Sequence, residues 1–88
     1  MEKRITIINK LGLHARAAAK IVTLTNNYKS DIQIKNGEKT ADAKSIMKLL
    51  MLSAPKGTEL TIIVNGDDAS SALKSLINLI KNKFDENE

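Results

Sequence analysis

Three short stretches of this chain place apolar residues at every second position: Ile5 and Ile7, Ile32 and Ile34, and Leu60, Ile62 and Val64. Successive side chains on a strand point to opposite faces, so this alternation describes a sheet with one buried and one wetter side. Helices can then cover only one side, and the strands are expected to run antiparallel. From Ala15 to about Thr25 the period becomes helical. Ala15, Ala18, Ala19 and Val22 fall on one stripe, Ala17, Ile21, Leu24 and Tyr28 on its neighbour, and Asn26-Asn27 closes the segment. Near the end, Ala69, Leu73, Leu76, Ile80 and Phe84 recur at helical spacing behind Asp67 or Asp68 as a cap. The stretch "KSIMKLLML" is too continuously apolar for its period to decide. It is opened by Ser45 and closed by Pro55 and Gly57 in the manner of a short helix. Asn36-Gly37 suits a type I′ hairpin turn, which by counting back sets Ile32 opposite Ala41.

The order is therefore strand, helix, strand, strand, helix, strand, helix, an α+β chain whose residues 1–88 read as one domain. Two strand orders fit it: a ferredoxin-like one, and one in which the last strand lies between the first and the second. Period alone does not choose between them.

Composition removes several classes of function. With 42% hydrophobic and 27% charged residues the chain is globular rather than disordered. No apolar run approaches the roughly 20 residues that span a bilayer. Met1 to Ile5 leads straight into the alternating pattern with no apolar signal core. A cytoplasmic protein without membrane insertion is expected. The absence of cysteine excludes disulfides and thiol catalysis, and a single histidine leaves too few of the usual ligands for zinc. No metal and no cofactor are expected. The net charge of +4 is spread along the chain as far as the acidic tail Asp85, Glu86 and Glu88. A basic RNA-binding module of similar element order would need aromatic stacking platforms, and the only aromatics are Tyr28 and Phe84. Nucleic acid is not the expected partner.

The one histidine, His14, follows Gly12-Leu13 and precedes the alanine-rich helix, so it sits at or beside that helix's N-cap. The first helical turn presents unpaired N–H groups and the positive end of the macrodipole, a ready site for an anion. The same field disfavours an imidazolium and leaves one ring nitrogen free as a nucleophile. A phosphoryl group accepted there would lie over the same N–H groups. Arg16 adds a permanent charge with forked donors suited to phosphate oxygens, and a capping histidine lies far enough outside the regular turn for the arginine to fold back toward it. No triad partner or second base is suggested, so the site reads as one that holds a phosphoryl group rather than processing a substrate.

Ser45 is placed to cap the second helix, although Lys48 stands where a capping box would carry Glu or Gln. A phosphate on Ser45 would add negative charge at a helix start without unfolding the segment. Along this helix Ile46, Leu49 and Leu50 can form one stripe and leave Met47 and Met51 on another. Methionines rimmed by Lys44 and Lys48 suit an adaptable docking patch.

The stretches "GLHARAAA", "ADAKSIMKLLML" with "APKGTELTI", and "NGDDASSAL" resemble the HPr family of phosphocarrier proteins across essentially the whole chain. "NKLGLHAR", "LLMLSAPKG" and the "FDENE" end are most similar to its nitrogen-related branch, NPr. The resemblance implies an open-faced β-sandwich, βαββαβα, with a four-stranded antiparallel sheet in the order 1-4-2-3 covered on one face by three helices. It implies a monomeric carrier of the phosphoenolpyruvate-dependent phosphotransferase system, serving sugar transport or nitrogen regulation. His14 would be phosphorylated by enzyme I and would pass the group to A-type enzyme II domains. Arg16 would support the phosphate, and Ser45 would be the target of an HPr serine kinase where one exists. The family's docking positions correspond to Ala15, Ile46, Met47, Lys48 and Met51, and the partner surface is expected to take in Ala17, Lys20 and Lys44 as well. One departure stands out: Ala17 replaces the family's usual proline, which restores an N–H donor and leaves the helix start less rigid. A protein acting mainly through Ser45 and its docking surface, with impaired transfer at His14, is the alternative that this departure keeps open.

Overall fold

The structure, a computed structural model, describes residues 1–87. Its elements are β1 (Glu2–Thr6), α1 (Ala15–Thr25), β2 (Asp31–Asn36), β3 (Lys39–Asp42), α2 (Ile46–Leu50), β4 (Glu59–Asn65) and α3 (Ala69–Lys81), followed by a short turn at Lys83–Asp85. The strands form one sheet in the order β1-β4-β2-β3, every neighbouring pair antiparallel. Of the two orders the element string allows, this is the one with the last strand between the first and second. It matches the open-faced sandwich that the family resemblance implied.

The longest strand, β4, takes an interior position because its alternation is the most complete. Leu60, Ile62 and Val64 are all fully buried, and they pair with Ile5, Ile34 and Ile32 on the same face. Each such side chain contributes about 2 kcal/mol by leaving water. Against that face α1 sets Ala17, Ala18, Ile21 and Thr25, and α3 sets Ala69, Ala72, Leu73, Leu76 and Ile80. The inward stripe of α1 thus runs between the two expected ones: Ala15 is exposed, while Ala18 and Ile21, drawn from different stripes, are both buried. No helix among the described residues is long and apolar enough to cross a membrane.

Two local expectations are corrected. The β2–β3 turn is Gly37-Glu38 rather than Asn36-Gly37, so Ala41 pairs with Ile34 and Asn36 with Lys39. Gly37 has φ +62 while Glu38 is not left-handed, the mark of a type II′ turn rather than type I′. Ile32 instead accepts from the Ala43 amide at 2.9 Å just past β3. Burial of alternate residues survives the two-residue shift because its period is two.

The second correction is at Phe84, which does not continue α3. The helix ends at Lys81, and Lys83, Phe84 and Asp85 all adopt left-handed backbone with φ of 57, 55 and 63°. Side chains make this region costly, about 1–3 kcal/mol per residue, so packing must hold it. Phe84 supplies that packing as the largest fully buried side chain in the molecule. Asp68, at the N-cap of α3, makes no side-chain bond to its own helix. Its carboxylate accepts from the Ser30 hydroxyl and from the amides of Lys29 (2.8 Å) and Ser30 (3.0 Å), which hold its pKa below the usual range.

Phe84→Ala is expected to lower stability by about 3–5 kcal/mol, as for other buried aromatic truncations. Urea denaturation checks this, and a loss under about 1 kcal/mol would show that Phe84 does not hold the turn.

Candidate functional site

The site is made where the chain leaves β1 for α1. Asn9 is buried, and its side-chain Nδ2 donates to the Gly12 carbonyl at 2.8 Å, while the Gly12 amide returns to the Asn9 carbonyl at 3.2 Å. Gly12 has φ +71, and a Cβ there would meet the Ala54 carbonyl oxygen at 2.7 Å and Pro55 Cα at 2.8 Å. Only glycine fits that approach. The next amide, of Leu13, donates to the same Ala54 carbonyl at 2.8 Å, fixing the loop against the segment that follows α2.

His14 then takes the N-cap position in extended conformation, φ −90 and ψ 180. Its carbonyl accepts from the Ala18 amide at 2.9 Å, the first bond of the helical ladder. Its Nδ1 accepts from the Arg16 amide at 3.3 Å, so an imidazole nitrogen does what a hydroxyl or carboxylate oxygen does at most helix starts. The other ring nitrogen, Nε2, contacts the carboxylate of Glu86. His14 and Arg16 share one open pocket with Lys10, Leu11, Glu86 and Asn87.

Glu86 comes from the tail that the Phe84 turn folds back over α1. Its other oxygen accepts from Asn9 Nδ2 at 2.8 Å, and Lys20 Nζ donates to the Phe84 carbonyl at 2.5 Å beside Asp85. Burial alone would raise the Glu86 pKa. Hydrogen bonds from Asn9 and His14 and the nearby charge of Lys20 outweigh it and hold the carboxyl below its ordinary value.

The expected docking residues divide. Ile46, Met47 and Met51 are exposed, the two methionines at 72% and 71%, and Lys48 and Ala15 also face outward. Ala17 does not: it is fully buried under α1, which corrects its expected place at a partner surface. Lys20 and Lys44 have their ammonium groups turned to the chain's own carbonyls, Lys20 to Phe84 and Lys44 to Tyr28 at 2.9 Å, so Lys44 does not rim the methionines. Ser45 caps α2, its hydroxyl accepting from the Lys48 amide at 3.3 Å. Asn9, Leu11 and Glu86 were not singled out from the sequence. Periodicity carries no signal for a tail that reverses, and the burial of Asn9 shows only in the structure.

A four-stranded sheet in the order β1-β4-β2-β3 with a histidine capping its first helix defines the class of protein that comparison then places. The family profile described as "PTS HPr component phosphorylation site" matches residues 1–82. The phosphocarrier protein HPr of Pseudomonas aeruginosa is 51% identical over 85 residues, 96% of this chain and 94% of that protein. The phosphocarrier protein NPr of Shewanella violacea is 45% identical over 86 residues, 98% of this chain and 94% of that one. The crystal structure of HPr-C-His from Thermoanaerobacter tengcongensis superposes with a TM-score of 0.95 at 39% identity, covering 100% of this chain and 99% of that one. The chain belongs to the HPr family, the phosphocarriers of the phosphotransferase system.

Because the Glu86 carboxyl is held low in the folded chain, its contribution to stability is complete above the ordinary carboxylate range and fades as pH falls through the folded value. Urea midpoints of the unaltered chain and of Glu86→Gln should therefore differ at about pH 7 and converge as the pH falls below the ordinary carboxylate range. A gap that persists undiminished in acid would contradict this.

Proposed function

We propose that this protein receives a phosphoryl group on His14 from phosphorylated enzyme I and delivers it to A-type enzyme II domains. The observation that carries the reading is the N-cap placement of the imidazole, with Nδ1 turned onto the Arg16 amide. At 3.3 Å that hydrogen bond is long and easily given up. As the donor's bond to phosphorus breaks and the Nδ1–P bond forms, the Nδ1 lone pair passes from the amide to phosphorus. The Arg16 amide is then released to a phosphoryl oxygen, and the amides of Ala15 and Ala17 also precede the helical ladder. Arg16 lines the same pocket, and its guanidinium would supply a fixed positive charge beside the group. One set of donors therefore serves the empty and the loaded carrier.

Exposed Ile46, Met47 and Met51, with Lys48 beside them, form the surface on which both partners would dock. The Leu13–Ala54 bond ties the loop bearing His14 to the end of that surface, so a partner seated on α2 meets a phosphorylation site already in place. Whether the output is sugar transport or nitrogen regulation is decided by the A-type domain that takes the group, not by the chemistry at His14. Phosphorylation of Ser45 by an HPr serine kinase would put negative charge at the start of α2, within the docking surface, and would weaken partner binding there.

Incubation with enzyme I and labelled phosphoenolpyruvate should yield an acid-labile, base-stable phosphoramidate that His14→Ala abolishes. Undiminished labelling of that variant would overturn the assignment. Arg16→Ala should slow transfer about tenfold, the scale of one charge-assisted contact.

A regulatory protein with weakened transfer is the second reading, favoured by Ala17 alone. Its amide lies before the helical ladder, so Ala17→Pro removes no helical hydrogen bond. Little change in transfer rate supports the carrier. A large gain in the proline variant would favour the regulatory reading.

A further inference from the structure

The tail brings a carboxylate to the back of the reacting ring, and the surrounding contacts are built to keep it there. Asn9, wholly buried, holds Glu86 Oε1 with the same Nδ2 that fixes the Gly12 carbonyl, so one amide group joins the His14 loop to the tail. Phe84 anchors the turn in the core, and Lys20 clasps its carbonyl. The carboxylate keeps only 14% of its exposure and the imidazole 26%.

We propose that Glu86 is a positioning residue for phosphoryl transfer: its carboxylate accepts the Nε2–H of His14, selects the ring tautomer with a bare Nδ1, and balances the positive charge that the ring develops during transfer. The inference rests on the carrier role proposed for His14. The selection is made from both sides of the ring. A carboxylate can only accept, so Nε2 must carry the hydrogen, and the Arg16 amide can only donate, so Nδ1 must not. The opposite tautomer would set a donor against a donor and an acceptor against an acceptor.

The bookkeeping of the step follows. The Nδ1 lone pair forms the bond to phosphorus, and the donor departs with the electron pair of the bond that breaks. The Nε2 proton stays where it is, leaving a cationic ring on a phosphoryl group. That cation is what makes the ring a good leaving group in the onward transfer, when Nδ1 recovers its lone pair. Loss of the proton to Glu86 would convert it into a neutral, reluctant phosphoramidate. Glu86 is a weak base where it sits, for the reasons of hydrogen bonding and charge already given, and leaves the proton on the ring. An aspartate behind a catalytic histidine acts in the same sense. The charged groups facing this pair are Lys20 and Asp85 behind it, and Lys10 and Arg16 around the pocket.

The test uses the full chain with ring-¹⁵N histidine. The unaltered protein should show a low-field proton resonance correlated with Nε2 and protected from exchange. Glu86→Ala should lose it, and Glu86→Gln, which keeps an acceptor oxygen without the charge, should retain it. With enzyme I and phosphoenolpyruvate, both variants should fall about tenfold in kcat with KM little changed, since docking is untouched. An Nε2 resonance and a kcat unaltered in Glu86→Ala would overturn the proposal. So would absence of the resonance from the unaltered chain. Should His14→Ala still accept label, the carrier reading falls by itself, and the Nε2 resonance continues to decide whether Glu86 holds the ring.

Discussion

The backbone at Gly12 is the constraint from which the site follows. It enters the left-handed region within contact of Ala54 and Pro55, and the neighbouring Leu13 amide closes on the Ala54 carbonyl. These contacts stop the chain sliding along its own axis just before the helix begins. His14 therefore falls on the cap position and not one residue into α1, where Nδ1 could not reach the Arg16 amide. Helix starts with unpaired amides are common. What is particular here is that an imidazole has been placed as the cap, with its Nδ1 turned onto the Arg16 amide at the helix start.

Electrostatics at the site are divided between two faces of one ring. The helix start and Arg16 present positive character on the Nδ1 side, and the tail presents a negative carboxylate on the Nε2 side. A phosphoryl group on Nδ1, as proposed, would bring its negative charge to the first face and leave positive charge on the ring next to the second. The cost of keeping Glu86 partly out of water is met by Asn9, whose own Oδ1 is left buried without a partner.

Most of the architecture was legible in the chain because it depends on periods. Alternation along Leu60, Ile62 and Val64, and helical spacing along Leu73, Leu76 and Ile80, report faces, and faces determine layers. The hairpin register was misjudged by one turn position, since Asn36-Gly37 and Gly37-Glu38 both place the glycine in a turn and differ only in which central residue it occupies. His14 and Arg16 were legible because a helix start has a local signature. Glu86 was not: its role depends on three successive left-handed residues that no propensity favours and that only the burial of Phe84 explains. Ala17 was misplaced for a related reason, since adjacency to His14 in sequence says nothing about which side of the helix meets the sheet.

The sheet has two borders, β1 and β3, and both are short and charged. Glu2, Lys3 and Arg4 lie along the first, while the second is only four residues long and carries Lys39 and Asp42. Borders of this kind offer little purchase to another strand. A sheet edged in this way is a poor template for strand pairing with a second copy of the chain. Its most exposed large apolar side chains, Met47, Met51 and Leu11, lie instead on α2 and in the loop before His14.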